Sequence, residues 1–269
     1  MANPSLPNRI DDTEEGGKMS FFEHLAELRT RLIHACGAIV LGTFLGVYLG
    51  KHFLEFVARP MVNALRAANL QDKLIFTHPA GYLYQVITLG LYLGVVIASP
   101  YVLYQVWLFV APGLYRHERK AVAAFVISAV LLFLCGIVFA YYVILPYLLK
   151  FLVSFQTGGP FTPLISVNEY FDLVLNVLLG VGIVFELPVL AFILSLFGII
   201  TPQFLWKNFR YAILIITVLA AVITPTPDAI TMLVFMAPMV VLYIVSIGVS
   251  AMVARRKRRA ETIARQGAT

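Results

Sequence analysis

Glu186 stands in the apolar run VLNVLLGVGIVFELPVLAFILSLFGII, with no other charge between Asp172 and Lys207. The run is long enough to cross a bilayer. A carboxylate placed there costs roughly 2.5–3.5 kcal/mol on insertion scales unless it faces protein or water. Such a group either works in the membrane or sits protonated against a neighbouring helix. Two further carboxylates lie in polar, basic surroundings: Glu27 in MSFFEHLAELRTRL and Glu118 in APGLYRHERKA. Carboxylates accept guanidinium groups in bidentate, charge-assisted hydrogen bonds, so two separated carboxylates can hold two arginines. The plainer readings are local. Glu27 and Arg31 are four residues apart and can pair along one helix face, and Glu118 can be a solvated counter-ion for Arg116, Arg119 and Lys120.

The elements that position these groups follow from composition. Of the 269 residues, 60% are hydrophobic and 13% charged, and mean hydropathy is +0.87. Soluble domains carry about 25% charged residues, so a water-soluble globular fold is excluded and an all-α integral membrane protein is expected. Six spans are predicted near 32–50, 80–109, 120–145, 167–199, 211–223 and 229–251. The fifth is short for a full crossing. If alternate loops share a side, fifteen Lys and Arg residues fall on the side of the termini and five on the other. Basic loops stay cytoplasmic, which puts both the N- and C-termini in the cytoplasm. The net charge of +6 thus serves topology, and no nucleic-acid partner is expected.

The chain divides into a polar extension over 1–18, a membrane domain over 19–252 and a basic tail over 253–269. The acidic start, with Asp11, Asp12, Glu14 and Glu15, is unlike a secretory signal peptide, so the N-terminus is expected to be retained. Ser20 and Glu23 have capping-box spacing. Phe21, Phe22, Leu25, Leu28 and Leu32 form an apolar stripe, which predicts an amphipathic helix at the interface leading into the first span. Gly42, Gly46 and Gly50, and Gly90 with Gly94, repeat at the four-residue spacing that lets membrane helices approach closely. Pro100, Pro188 and Pro238 interrupt the second, fourth and sixth spans and can bend them. Cys36 and Cys135 read as small apolar side chains buried in the spans.

No cofactor is expected. GVYLGKH has one residue too few between its glycines for a phosphate loop and lacks the Ser or Thr. His24, His34, His52, His78 and His117 lie near span ends or in loops without HExxH spacing, which argues against a membrane-embedded enzyme. A proton-coupled carrier is the rival suggested by Glu186 beside a proline. It is disfavoured by the lack of an evident internal repeat and of a second ionisable group within the spans.

Several segments together resemble one known family: FFEHLAELRTRL, SPYVLYQVWLFVAPGLYRHERK, FAYYVILPYLLKFL, VGIVFELPVLAFILSLFGIITP and ITPTPD. In this order they are similar to TatC, the multispanning receptor subunit of the twin-arginine protein translocase, over about Met19 to Arg256. The resemblance implies a six-helix concave shell in the cell inner (cytoplasmic) membrane, with single-span TatA- and TatB-type partners in an oligomeric complex. It implies that twin-arginine precursor proteins bind here and that the proton motive force drives their export. By motif, Glu27, Arg29, Phe109 and Glu118 are implied in signal-peptide binding. Glu186 is implied as an intramembrane polar contact, and Pro60 and Asp228 as structural or functional residues on the periplasmic side.

Overall fold

The computed structural model describes residues 21–110, 122–156, 164–224 and 228–266. Among these residues the fold is helical throughout, apart from a single parallel bridge between Ile75 and Ser166. Helix α1 (Phe21–Ala67) runs antiparallel to α2 (Gly81–Val110). Helix α3 (Val122–Phe139) passes through a π-turn at Ala140–Ile144 into α4 (Leu145–Gln156). Helices α5 (Val167–Val184) and α6 (Leu187–Leu196) form another crossing, broken at Phe185–Glu186. The short α7 (Pro202–Lys207), α8 (Phe209–Ile223) and α9 (Ala229–Gln266) complete the chain. Five segments are long and apolar enough to span a bilayer: 22–67, 81–109, 126–155, 167–196 and 229–256. The apolar α8 has 15 residues and a length of about 22 Å, short of the ~30 Å hydrocarbon core.

Glycine sets a close backbone contact between α1 and α2. A methyl group added at Gly42 would lie 2.6 Å from the carbonyl oxygen of Gly94, and one added at Gly46 would collide with the carbonyl of Gly90. The two backbones therefore touch, and any side chain at these positions would force them apart. Such close approach supplies the dispersion contacts that hold helices together in lipid, where water provides no driving force.

The first helix extends well past the expected end of its span near residue 50. HFLEFVARPMVNALRA stays helical because Val57, Met61, Ala64 and Leu65 form a buried stripe in the core shared with Leu145, Leu149, Val174 and Phe235. Pro60 does not end the helix. A proline has no N–H for the carbonyl four residues back, here that of Phe56. The Tyr141 hydroxyl donates to that carbonyl at 2.6 Å, and Tyr170 donates to the neighbouring Val57 carbonyl at 2.7 Å. Pro100 is compensated in the same way, since Ser99 Oγ donates to the freed Val96 carbonyl at 2.8 Å.

After Ala67 the chain turns through Asn69 at φ +57°, with Leu70 N–H bonding the Leu65 carbonyl and Asn69 N–H that of Arg66. This is the hydrogen-bond pattern of a Schellman motif, with Asn69 in the left-handed region that ends the helix. Arg66 Nε donates to Asp72 Oδ2 at 2.7 Å, and that bond holds the Asp72 carboxyl below its ordinary value. Ile75 then exchanges backbone bonds with Ile165 and Val167, tying the loop after α1 to the start of α5. Elsewhere, hydroxyls join the helices. Tyr92 donates to Asn176, Ser195 to Ser250 and Tyr243 to the Leu205 carbonyl, at 2.6–2.9 Å.

Cys36 and Cys135 are free but exposed, contrary to the buried placement expected from sequence. The outer face of a membrane span is as apolar as its core, so an apolar neighbourhood does not imply an inward one. Phe44, Tyr48 and Val222, each about three-quarters exposed, make the same point.

Candidate functional site

The residues implied in signal-peptide binding gather, in part, at one end of the α1–α2 seam. His24, Glu27 and Arg31 repeat at three- and four-residue steps and so share a face of α1. Gln105 and Phe109 do the same on α2. Arg31 Nη2 donates to Glu27 Oε1 at 3.2 Å, while Arg31 Nη1 reaches Gln105 Oε1 at 3.4 Å. The His24 and Phe109 rings stack with centroids 4.3 Å apart and planes 19° from parallel. Gln105 is buried, and the Glu27 side chain is only 16% exposed.

The local Glu27–Arg31 pair is therefore formed, yet it uses one carboxylate oxygen. Glu27 Oε2 is buried and accepts no hydrogen bond from the described residues; Arg31 Nε is likewise unpartnered. A buried acceptor left unmet costs on the order of 1–3 kcal/mol, more when charged, so an incoming donor would gain by meeting it. Arg31 and Gln105 hold the carboxylate in place across two helices.

Arg29 is exposed and lies about 200° around α1 from Glu27, so it is not brought into this cluster. Glu118 lies outside the described residues; it belongs to the connection 111–121, which begins directly after α2. Sequence reasoning assigned no role to His24 or Gln105. Their signal was present in the helical spacing 24–27–31 and 105–109, but reading it required the register between α1 and α2.

The remaining candidates lie apart from this cluster. Glu186 sits at the α5–α6 break, where Phe185 and Glu186 adopt turn-like αR dihedrals and Pro188 is at the second position of α6. Its side chain makes no capping bond, and Oε1 is buried without a partner. Pro60 is the stitched proline of α1 described above. Asp228 caps α9, with Oδ1 accepting the Thr231 N–H at 2.7 Å, which satisfies one of the free donors at a helix start. Among the described residues no three His, Cys, Asp or Glu side chains group as a metal site.

These features define a multi-pass helical membrane protein with a Glu27–Arg31–Gln105 cluster at one end of its glycine seam. The chain belongs to the TatC family of Sec-independent protein translocase proteins, whose profile matches residues 23–238. A TatC of Koribacter versatilis (strain Ellin345) is 45% identical over 268 residues, which cover 98% of each chain. A TatC of Aquifex aeolicus (strain VF5) is 36% identical over 241 residues, covering 89% of this chain and 98% of the relative. A crystal structure of the twin arginine translocase receptor TatC superposes with a TM-score of 0.74 at 36% identity, covering 86% of this chain and 99% of that one. The family drawn from the motifs is confirmed, and the chain is a component of a Sec-independent protein translocase.

Proposed function

We propose that this chain is the core receptor of a twin-arginine translocation system in the bacterial inner membrane, with both termini in the cytoplasm. Glu27 and Glu118 accept the paired arginines of a signal peptide at the cytoplasmic rim. The apolar part of the peptide then lies along the concave membrane face, where burial contributes about 25 cal/mol per Å². Export follows with TatA- and TatB-type partners in an oligomeric complex driven by the proton motive force. In this reading Phe109, stacked on His24, supplies an aromatic wall beside the carboxylate, and Glu186 offers a polar contact to a partner helix or to the inserted peptide.

One observation carries the reading: Glu27 is held on one oxygen by Arg31 while Oε2 stays buried and unmet. A guanidinium from outside can take that oxygen without displacing Arg31. Arginine suits the site better than lysine because a guanidinium is more weakly hydrated than an ammonium and so loses less on meeting a buried oxygen. Each charge-assisted bond contributes roughly 1.5–3 kcal/mol, so Glu27→Gln or Glu118→Gln should weaken crosslinking to an Arg-Arg precursor about tenfold or more while leaving folding intact. A Lys-Lys precursor should bind the unaltered chain comparably weakly. Crosslinking that is indifferent to both neutralised acids, and to Lys-Lys in place of Arg-Arg, would refute the reading. Glu186→Gln should reduce partner association; unchanged association and export would make Glu186 purely structural.

A further inference from the structure

A cavity of about 300 Å³ opens between α1 and the α3–α4 crossing, at the end of the molecule away from the Glu27 cluster. Its floor is Phe56 and Tyr141, whose rings stack with centroids 4.5 Å apart and planes 9° from parallel. The bond from the Tyr141 hydroxyl to the Phe56 carbonyl fixes that floor. Arg59, Asn63, Tyr142 and Lys150 stand on its walls. Arg59 and Lys150 enter no ion pair and Asn63 no hydrogen bond among the described residues. The nearby Arg66 is already committed to Asp72. Both tyrosines lie in the π-turn, with Tyr141 buried and Tyr142 64% exposed. Such turns recur at functional sites.

We propose that this cavity binds the phosphate-bearing headgroup of an acidic phospholipid. Two unpaired cations from different helices converge with an amide and a phenol, which matches a phosphodiester: a delocalised negative charge with several acceptor oxygens. The volume is at the lower end of the ~300–1,000 Å³ range of small-molecule sites, enough for a headgroup and too small for a whole lipid. A lipid is favoured over a soluble anion by what flanks the opening. Tyr142 and Tyr147 are exposed beside it, and tyrosine is a side-chain type that favours the headgroup level of a bilayer. Along the same two helices, Leu45, Phe53, Leu134 and Val138 present exposed apolar surface against which acyl chains can lie. Under the orientation proposed above this is the periplasmic leaflet, where basic residues are scarce in this chain; the binding itself does not depend on that orientation.

The test uses the full chain purified in detergent and native mass spectrometry of retained lipid. Mixed micelles contain phosphatidylglycerol or phosphatidylcholine, with inorganic phosphate as competitor. Phosphatidylglycerol should be retained in clear preference to phosphatidylcholine. The double substitution Arg59→Gln and Lys150→Gln should lower that retention about thirtyfold. The charge-keeping pair Arg59→Lys and Lys150→Arg should preserve most of it. Lys51→Gln with Lys73→Gln, which removes two exposed cations outside the cavity, should change nothing. Equal retention of both lipids by the unaltered chain would overturn the proposal, and that comparison stands even if the double variant fails to fold. Retention unaffected by the neutralising pair would overturn it too. Phosphate that displaces phosphatidylglycerol at equal concentration would assign the cavity to a soluble anion and not to a lipid.

Discussion

Replacing Tyr141 with Phe removes a single oxygen from the fold, and its cost can be worked from Pro60. The hydroxyl donates at 2.6 Å to the Phe56 carbonyl, which has lost its helical donor because residue 60 has no N–H. Tyr141 is 9% exposed, so water does not readily take its place. The ring itself keeps its stacking on Phe56. The expected loss is therefore that of one buried acceptor left unmet, about 1–3 kcal/mol. The origin of this loss can be tested by restoring the N–H. In the Pro60→Ala background the Phe56 carbonyl regains an ordinary helical bond, and Tyr141→Phe should then cost less than ~1 kcal/mol. The four chains form a double-mutant cycle, read by equilibrium unfolding in mixed detergent and SDS micelles with circular dichroism. A coupling of about 1–2 kcal/mol is expected, within the usual range for residues in contact. Additivity to within ~0.5 kcal/mol would show that the tyrosine does not compensate the proline, and the account of why α1 continues through Pro60 would fail.

Three further outcomes are expected. Gly46→Leu drives a side chain into the Gly90 carbonyl; overpacking of this kind costs about 1–3 kcal/mol and should lower the midpoint of micellar unfolding, whereas Gly37→Leu, with open space around it, should not. Gln105→Leu removes the α2 anchor of Arg31 and should weaken Arg-Arg crosslinking less than Glu27→Gln does, with unfolding little changed; an effect equal to that of Glu27→Gln would mean Gln105 touches the peptide itself. Asp72 is held below the ordinary carboxylate range by Arg66, so its contribution is fully present above that range and is lost as pH falls through the lowered midpoint. Arg66→Gln should move that midpoint, followed by carboxyl NMR, back up, and an unmoved midpoint would exclude the pair as its cause.

Much of the architecture was legible because a bilayer imposes it. The six apolar stretches, the short fifth crossing and the glycine spacing follow from element lengths and from the need for helices to touch. The break beside Glu186 was signalled by Pro188. What escaped the sequence has physical reasons. The end of a membrane span is not the end of a helix, so α1 continues to Ala67 on a buried stripe that hydropathy does not register. Inward and outward faces look alike in lipid, which is why Cys36 and Cys135 were misplaced. Of the candidate site, Glu27 and Phe109 were singled out through the family motif. Gln105 and His24 were not, because each joins this cluster through a contact between two helices, with partners 74 and 85 positions away in the chain.

That contact is nevertheless encoded at a distance. Gly46 faces Gly90 and Gly42 faces Gly94. Because the helices are antiparallel, a step toward the start of α1 is matched by an equal step toward the end of α2. Fifteen residues on from Gly46 and Gly90, about 22 Å along the axes, the same register brings Arg31 opposite Gln105. The glycines thus do more than pack the seam, since they fix which side chains meet at its rim. A slip of one helical turn would shift the facing residue by three or four positions and separate Arg31 from Gln105, leaving Glu27 with a local pair and no tie to α2. Side chains placed at Gly42 or Gly46 should accordingly weaken twin-arginine capture as well as stability, although neither glycine is near the carboxylate that is proposed to do the capturing.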